Sequence, residues 1–355
     1  MVQKIFNIGE VLIGNGQEPL FLPDIGTFFN QDMTQAVQLV NKLSDAGVSV
    51  VKGEILHSPE ICLKVAGKEK YWGRENKKVI EEDYYSLISR KVVSFRAYEE
   101  LFSYCLELGM HVVTSVYDFE GADFADTVGV SALKITSSNI THQPLIEYLA
   151  KIGLPLIIDT GHSTLEEAAR AVNWAQDAGA KNIIIEHSPL PPPHPIEMHN
   201  LHFMCTLGSS LGLPFGLSDH HEGEEMLYAA VALGASVLEK GVYLDGLGDE
   251  QDSGHALPVS RVGEVLIKIN NIYTGLGDGI KHLSRDREKY ISRMGLVAKR
   301  DLKPGDEINL QNVTFAFPAK GIGTEYWGDI KGWKLIENVD SGEVIGWQHV
   351  RALAT

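Results

Sequence analysis

The chain has 355 residues, with 31 Lys and Arg against 47 Asp and Glu, a formal net charge of −16. That balance argues against a general nucleic-acid surface, which needs clustered basic residues, but leaves room for a small anionic ligand in a locally cationic pocket. Its 44% hydrophobic content is that of a globular protein, with no apolar run of about 18 residues to span a membrane.

The N-terminus, MVQKIFNIGEVLIG, lacks the separate basic, apolar and cleavage regions of a secretory leader, so a cytoplasmic location is expected. Residues 5–18 alternate apolar and polar around glycines and predict a β-hairpin closing one end of the domain that follows. Strand-like apolar runs then recur near Leu20, Val48, Met110, Ser131, Pro155, Lys181, Pro214 and Ser236, eight in all. Helical patterns lie between most of them: Thr34 to Ala46, Tyr98 to Leu108, Pro144 to Ile152, Leu165 to Ala178 and Met226 to Leu233. Each ends at a glycine suited to the C-cap. Val259 to Tyr273 is the last of the set. Strands alternating with helices imply parallel pairing with right-handed crossovers. Eight units over this length predict a (β/α)8 barrel.

One connection is unusually long. Ile55 to Gly109 carries the charged and aromatic stretch GKEKYWGRENKKVIEEDYYSLISRK, with Tyr71, Trp72, Tyr84 and Tyr85. An insertion after a barrel strand falls on the active-site face, so a lid or an oligomer contact is expected there rather than a disordered loop. Pro189 to Pro195 cannot be helical and predicts an extended rim segment. The polar, basic stretch around 281–293 reads as a linker. Beyond it, residues 294–355 predict a small domain with little helix, built on strands Gly295–Ala298 and Thr314–Phe317 and a strand-like tail, GEVIGWQHV. The expected organisation is therefore 1–280, 281–293 and 294–355. Cys62, Cys105 and Cys205 have no metal-type spacing, and Cys105, on an apolar helical face, is expected in the core.

In such a barrel the chemistry sits just past the strand ends. These supply, in order, Asp24; Lys52 and Glu54; Thr114 and Ser115; Lys134, Thr136 and Ser137; Asp159, Thr160 and His162; Glu186, His187 and Ser188; Ser218, Asp219 and His220; and Glu239 and Lys240. Lysines among hydroxyls suit a phosphate or a carboxylate. His162, His187 and His220 come from three adjacent strands with Glu186 and Glu239 nearby, a set suited to a divalent metal. The alternative is a polar rim in which one or two of them only hydrogen-bond. No Walker or dinucleotide glycine motif is present.

At these residues the chain resembles the N-acetylneuraminate (sialic acid) synthase family, nearly end to end. The resemblance is carried by IGEVLIGNGQEPLFLPDIG, with Asp24 at the family's glutamate; by Lys52-Gly53-Glu54, Lys134-Ile135-Thr136-Ser137 and Asp159-Thr160-Gly161; by Ser218-Asp219-His220 and the run Ala230 to Lys240; by Asp252; and by GLVAKRDLKPGDEI and PAKGIG in an antifreeze-like (SAF) domain. It implies condensation of phosphoenolpyruvate with a sugar aldehyde to a 2-keto-3-deoxy sugar acid, in a domain-swapped homodimer. By the same resemblance, Asp24, Lys52, Glu54 and Lys134 are catalytic candidates. Ser137, Thr160, Ser188, Ser218, Glu239 and Asp252 are substrate-binding candidates. A divalent metal, Mn²⁺ or Mg²⁺, is expected on His220 with His187 or His162.

The departures are equally specific. Gly241 stands where the family has a second metal-binding histidine. Asp159, His162, Glu186 and His187 bring new acids and imidazoles. Phe28-Phe29-Asn30 replaces an asparagine-histidine pair, and Phe317 replaces an arginine that reaches a partner's sugar. They point to a relocated metal site. They leave open a diverged metal-dependent lyase or hydrolase, or a non-catalytic member that binds a sugar acid.

Overall fold

A computed structural model describes residues 5–14, 16–26, 28–281 and 292–352. The chain divides into two compact units, Met1–Asp278 and Gly279–Thr355. The linker expected over 281–293 falls almost wholly outside the described residues.

The first unit is a closed parallel barrel. Its strands are β1 (Leu20–Gly26), β2 (Val50–Ile55), β3 (His111–Val116), β4 (Ala132–Ile135), β5 (Leu156–Asp159), β6 (Ile183–His187), β7 (Phe215–Asp219) and β8 (Val237–Tyr243). Each pairs in parallel with the next, and β8 pairs with β1 to close the ring. A helix follows every strand: α1 (Met33–Asp45), α2 (Phe95–Glu107), α3 (Phe119–Thr127), α4 (Gln143–Ile152), α5 (Leu165–Asp177), α6 (His202–Leu211), α7 (Glu225–Ala232) and α8 (Val262–Leu276). Asp32, Ser94 and Asp118 cap α1, α2 and α3 through their side chains, and Thr164 with Glu167 forms a full capping box on α5. The sequence pattern does not reveal α3 and α6. The face that α3 buries consists of Gly121, Ala122 and Ala125, too small to give a hydrophobic period. In α6, Gly208 lies against Phe215, and Thr206, Ser209 and Ser210 break the pattern.

Strand alternation sorts the barrel interior into two layers. Leu20, Leu22, Val50, Val113, Ala132, Ile157, Ile184 and Val237 form one buried cluster with Phe6, Ile8 and Ile13. The last three belong to the antiparallel hairpin Phe6–Ile8/Val11–Ile13, which closes the N-terminal end of the barrel as the alternation of residues 5–18 predicts. Two residues further along each strand the inward positions turn polar, and there the floor of the site begins.

The long connection after β2 is ordered. It forms a hairpin, Lys68–Gly73 with Lys78–Asp83, and a helix, Tyr84–Lys91. Leu56, Cys62, Leu87 and Ile88 give it a small core, against which Tyr71, Tyr84 and Tyr85 pack. Its charged residues grip the loop after β8. Arg90 makes two bonds to Glu250, at 2.6 and 2.7 Å, and Lys91 lies 3.4 Å from the same carboxylate. Arg74 bonds Tyr243 and the Ala256 carbonyl, and Glu75 and Asn76 bond Asp249.

The second unit has its own core of Leu296, Ala298, Leu302, Ile308, Val313, Ile322, Ile330, Leu335, Val339, Ile345 and Val350. Gly295–Ala298 pairs antiparallel with Val313–Ala316, and Lys334–Leu335 with Val350–Arg351. The tail differs from expectation. Val344 makes only an isolated bridge, and Trp347–His349 is a 3₁₀ turn, because glycines 342 and 346 interrupt any longer ladder.

Ile8 is fully buried at the barrel's closed end. Ile8→Ala should lower stability by about 2–4 kcal/mol, the cost of a core methyl loss plus a cavity, as measured by the urea midpoint of the full chain.

Candidate active site

The inward polar layer contributes one residue from each strand. Leu22 is followed two positions on by Asp24, Val50 by Lys52, Val113 by Ser115, Ala132 by Lys134, Ile157 by Asp159, Ile184 by Glu186, Gly216 by Ser218 and Val237 by Glu239. All but Glu186 and Ser115 line a cavity of about 230 Å³ at the C-terminal mouth, with Glu54, Tyr117, Ser137, His220, Asp252 and His255 around it.

Lys134 is the hub. Its Nζ lies 2.5 Å from Glu239, 2.9 Å from Glu186 and 3.0 Å from Asp159. These three carboxylates form the one cluster of metal-ligand character among the described residues, but an ammonium already sits at their centre. That ammonium hydrogen-bonds Glu239 at 2.5 Å and Ser218 at 3.4 Å and pairs with Asp159 and Glu186 by charge. Lys52 forms the neighbouring pair, 2.5 Å from Asp24 and 3.6 Å from Glu239. Ser218 donates to Glu239 at 3.1 Å.

Crowded carboxylates do not all ionise. Burial pushes Glu186 up to about 8 against the pull of Lys134, with the adjacent Glu239 and Asp159 adding to the rise. Burial likewise pushes Asp24 up to about 6, aided by Glu54 and Glu239 against the pull of Lys52. Glu239 goes the other way, down to about 2. Burial opposes ionisation there, but Lys134, Lys52 and the bond from Ser218 override it. Burial holds His255 well below the usual imidazole range, with His220 and Lys240 adding to it.

The residues singled out by sequence separate cleanly. Asp24, Lys52, Glu54, Lys134, Ser137, Ser218, Glu239, Asp252 and His220 all face the cavity. Thr160 does not; its hydroxyl donates to the Glu186 carbonyl at 2.9 Å and braces a turn. Ser188 is buried but lies outside the lining. His187 follows inward-facing Glu186 on the same strand, so alternation turns it outward. Its Nε2–H donates to the His199 carbonyl at 2.7 Å, with the ring against Phe203. His162 is exposed in the turn after β5. The three-histidine cluster expected from the sequence is therefore not assembled; only His220 reaches the cavity. Lys240, read as a site candidate, pairs with Asp219 at 2.8 Å and holds the loop carbonyls of His221 and Gly223.

Lys91 and His255 line the cavity without a counterpart in the sequence expectations. Lys91 comes from the insertion and His255 from the loop after β8. Neither segment has a periodicity that would mark a side chain as inward. A second cavity of about 950 Å³ adjoins the first through Glu54, Lys91, Tyr117, Ser138, Gln251 and Asp252. On its wall His57 bonds Asp118 at 2.9 Å and stacks on Phe95.

Comparison with known proteins agrees with this architecture. Residues 39–281 match the NeuB family and residues 293–351 the SAF domain. N,N'-diacetyllegionaminic acid synthase of Campylobacter jejuni is 29% identical over 333 residues, 93% of this chain and 99% of that protein. Pseudaminic acid synthase of Helicobacter pylori is 24% identical, over 90% of this chain and 94% of its own. The crystal structure of N-acetylneuraminic acid (sialic acid) synthetase from Leptospira borgpetersenii, in complex with citrate, superposes with a TM-score of 0.69. It is 21% identical and covers 80% of this chain and 93% of that one. The chain belongs to the NeuB family and carries a SAF domain at its C-terminal end.

The protonated Glu186 has a consequence for stability. Its folded pKa of about 8 lies above the ordinary 4.5, so between these values the folded state holds a proton that the unfolded state has lost. Stability from this group should fall as pH rises through that window, by up to about 1.4 kcal/mol per pH unit. The melting temperature of Glu186→Gln should accordingly decline less between pH 6 and 8 than that of the wild type.

Proposed function

We propose that this chain condenses phosphoenolpyruvate with a sugar aldehyde to give a 2-keto-3-deoxy sugar acid. The observation that carries the reading is the cavity floored by Lys52 and Lys134 with Ser137 and Ser218 beside them, in a member of a family whose named relatives make sugar acids. The lysines and hydroxyls would hold the donor's anionic groups. The smaller cavity suits the three-carbon donor and the larger one the acceptor chain, with Glu54, Tyr117 and Asp252 at the junction.

In the reaction, C3 of the enolpyruvyl group forms a bond to the aldehyde carbon, and the aldehyde oxygen takes up a proton. Water then adds to C2 and gives up a proton. Asp24, with its carboxyl pushed up to about 6 beside Lys52, is suited to receive it, and Glu54 to orient the water. The C2–O bond to phosphate breaks as the C2 hydroxyl passes its proton to the departing phosphate, leaving the C2 ketone and inorganic phosphate.

The cavity is acidic for such a donor, with four lysines against six carboxylates on its wall. A divalent cation would offset that excess, and when bound would polarise the aldehyde carbonyl. His220 fits such a group. Its Nδ1–H donates to the Pro189 carbonyl at 2.9 Å, which leaves the Nε2 lone pair available. The carboxylates around Lys134 favour a second reading, a metal-dependent aldol-type lyase whose donor carries no phosphate.

Purified protein with Mn²⁺ should release phosphate from phosphoenolpyruvate with at least one of a panel of aldoses and amino-sugar aldehydes. His220→Ala should lower kcat by at least about 100-fold, as loss of a group acting on the developing charge does. The rate should fall as pH drops through about 6, since Asp24 must be ionised to accept the proton, and Asp24→Asn should abolish that limb along with most of the activity. Absence of phosphate release across the panel from folded, metal-loaded protein would move the assignment to the lyase.

The resemblance further implies that the SAF domain covers the barrel of a partner subunit. Phe317, 60% exposed, would then meet the acceptor and favour a less polar sugar than an arginine there would. A chain ended after residue 285 should be monomeric by sedimentation and nearly inactive; full activity from that monomer would overturn this arrangement.

A further inference from the structure

We propose that His220 and His255 together form a site for a first-row divalent cation, with His255 replacing the histidine that the family resemblance places at Gly241. The two rings line the same wall of the cavity, with centroids 4.5 Å apart. They come from different segments: His220 directly follows β7, and His255 lies on the loop after β8.

His220 is oriented by the bond from its Nδ1–H to the Pro189 carbonyl. That arrangement fixes the tautomer and turns the other nitrogen's lone pair outward, as ligating imidazoles require. His255 is only 6% exposed, yet among the described residues no group hydrogen-bonds its ring. Its ring nitrogens are not sealed in the interior, and a cation shared with His220 can reach them from the cavity.

Position 241 is tightly packed. A Cβ added at Gly241 would lie 3.2 Å from the Phe28 ring and 3.3 Å from the Ala256 methyl. A side chain at 241 would press on Phe28 and Ala256, and the next loop residue back from Ala256 brings an imidazole to the cavity instead. Phe28, Gly241 and His255 therefore read as one exchange.

The loop carrying His255 is rigid enough to position a ligand. The insertion holds Glu250 through Arg90, and the Ala256 carbonyl through Arg74 at 2.7 Å. Trp72 covers Gly254 so closely that a Cβ there would meet its carbonyl at 2.7 Å. Within the loop, the Ser253 amide bonds the Glu250 carbonyl at 3.1 Å and the His255 amide bonds that of Asp252 at 3.3 Å. Asp252, held at a left-handed φ of 66°, lines the same cavity and adds anionic charge within reach of His220. Paired imidazoles with a carboxylate nearby and open positions suit Mn²⁺, Co²⁺ or Zn²⁺ better than Ca²⁺.

The inference deepens the synthase reading, and its test is a binding measurement independent of turnover. Mn²⁺ is titrated into the full metal-free chain and the free ion followed by electron paramagnetic resonance. Wild type should show one site. His220→Ala and His255→Ala should each weaken it at least tenfold, while His187→Ala and His162→Ala leave it unchanged. If His255→Ala fails to fold by circular dichroism, His255→Gln takes its place. If that also unfolds, the hyperfine shift of the His255 ring in the Co²⁺-loaded wild type decides. Undiminished Mn²⁺ affinity in a folded His255 variant, or an unshifted ring, would overturn the proposal while leaving His220 and the synthase reading intact. No Mn²⁺ site in the wild type would overturn it too, and phosphate release measured separately would then decide the synthase reading.

Discussion

The buried ammonium of Lys134 and the carboxylates of Asp159, Glu186 and Glu239 around it are the constraint on which the site depends. Taking one such charge out of water costs several kcal/mol, and stripping a partner from a buried group commonly costs about 3–5 kcal/mol. The cluster therefore cannot be loosened residue by residue. It also cannot carry all its formal charge. The barrel resolves the excess by keeping Glu186 protonated through neutral pH and by drawing Asp24 toward 6. The outcome is a floor with Glu239 ionised between two lysines and a protonated carboxyl below it, a graded set of proton donors and acceptors within a few ångströms.

That floor exists because of what lies beneath. Eight strands present apolar side chains at one level and polar ones two residues later, and the N-terminal hairpin seals the apolar end with Phe6, Ile8 and Ile13. Water is thereby confined to the other end. Lys52 and Lys134, each 2% exposed, are desolvated enough for their charges to act strongly on neighbours. The insertion after β2 then stiffens the rim from outside through Arg74 and Arg90. Plug, floor and clamped loop form a continuous scaffold from the closed end to the open one.

The strands, most helices and the inward lysines were legible because periodicity encodes them. Parity alone distinguishes His187 from the site: with Ile184 and Glu186 inward, position 187 must face the helices. Reading strand ends as an unordered list of polar residues, without that parity, is what grouped it with His220. His162 lies past its strand, in a turn where parity no longer applies. The insertion was hard to read for a different reason. Its hairpin alternates Lys68, Lys70 and Trp72 with Glu69, Tyr71 and Gly73, so that neither face looks apolar. Besides its small core, ion pairs and hydrogen bonds to residues more than 150 positions away hold it, and no local pattern reports those.

His255 marks the limit of such reading most sharply. Nothing around it is periodic, and its partner in space is 35 residues earlier in the chain. Yet the sequence did hold the other half of the exchange: a glycine where the family carries a histidine, and an aromatic residue at 28 where it carries a polar pair. A small residue on a barrel wall needs something to fill the space it leaves, since interiors pack to near-crystalline density. Phe28 packs against it, and a ligand side chain on β8 would have to push its ring aside. If the ancestral cation is to stay beside His220, its second imidazole must then come from the adjoining loop. Packing at Gly241 and coordination at His255 are in that sense two consequences of one steric fact.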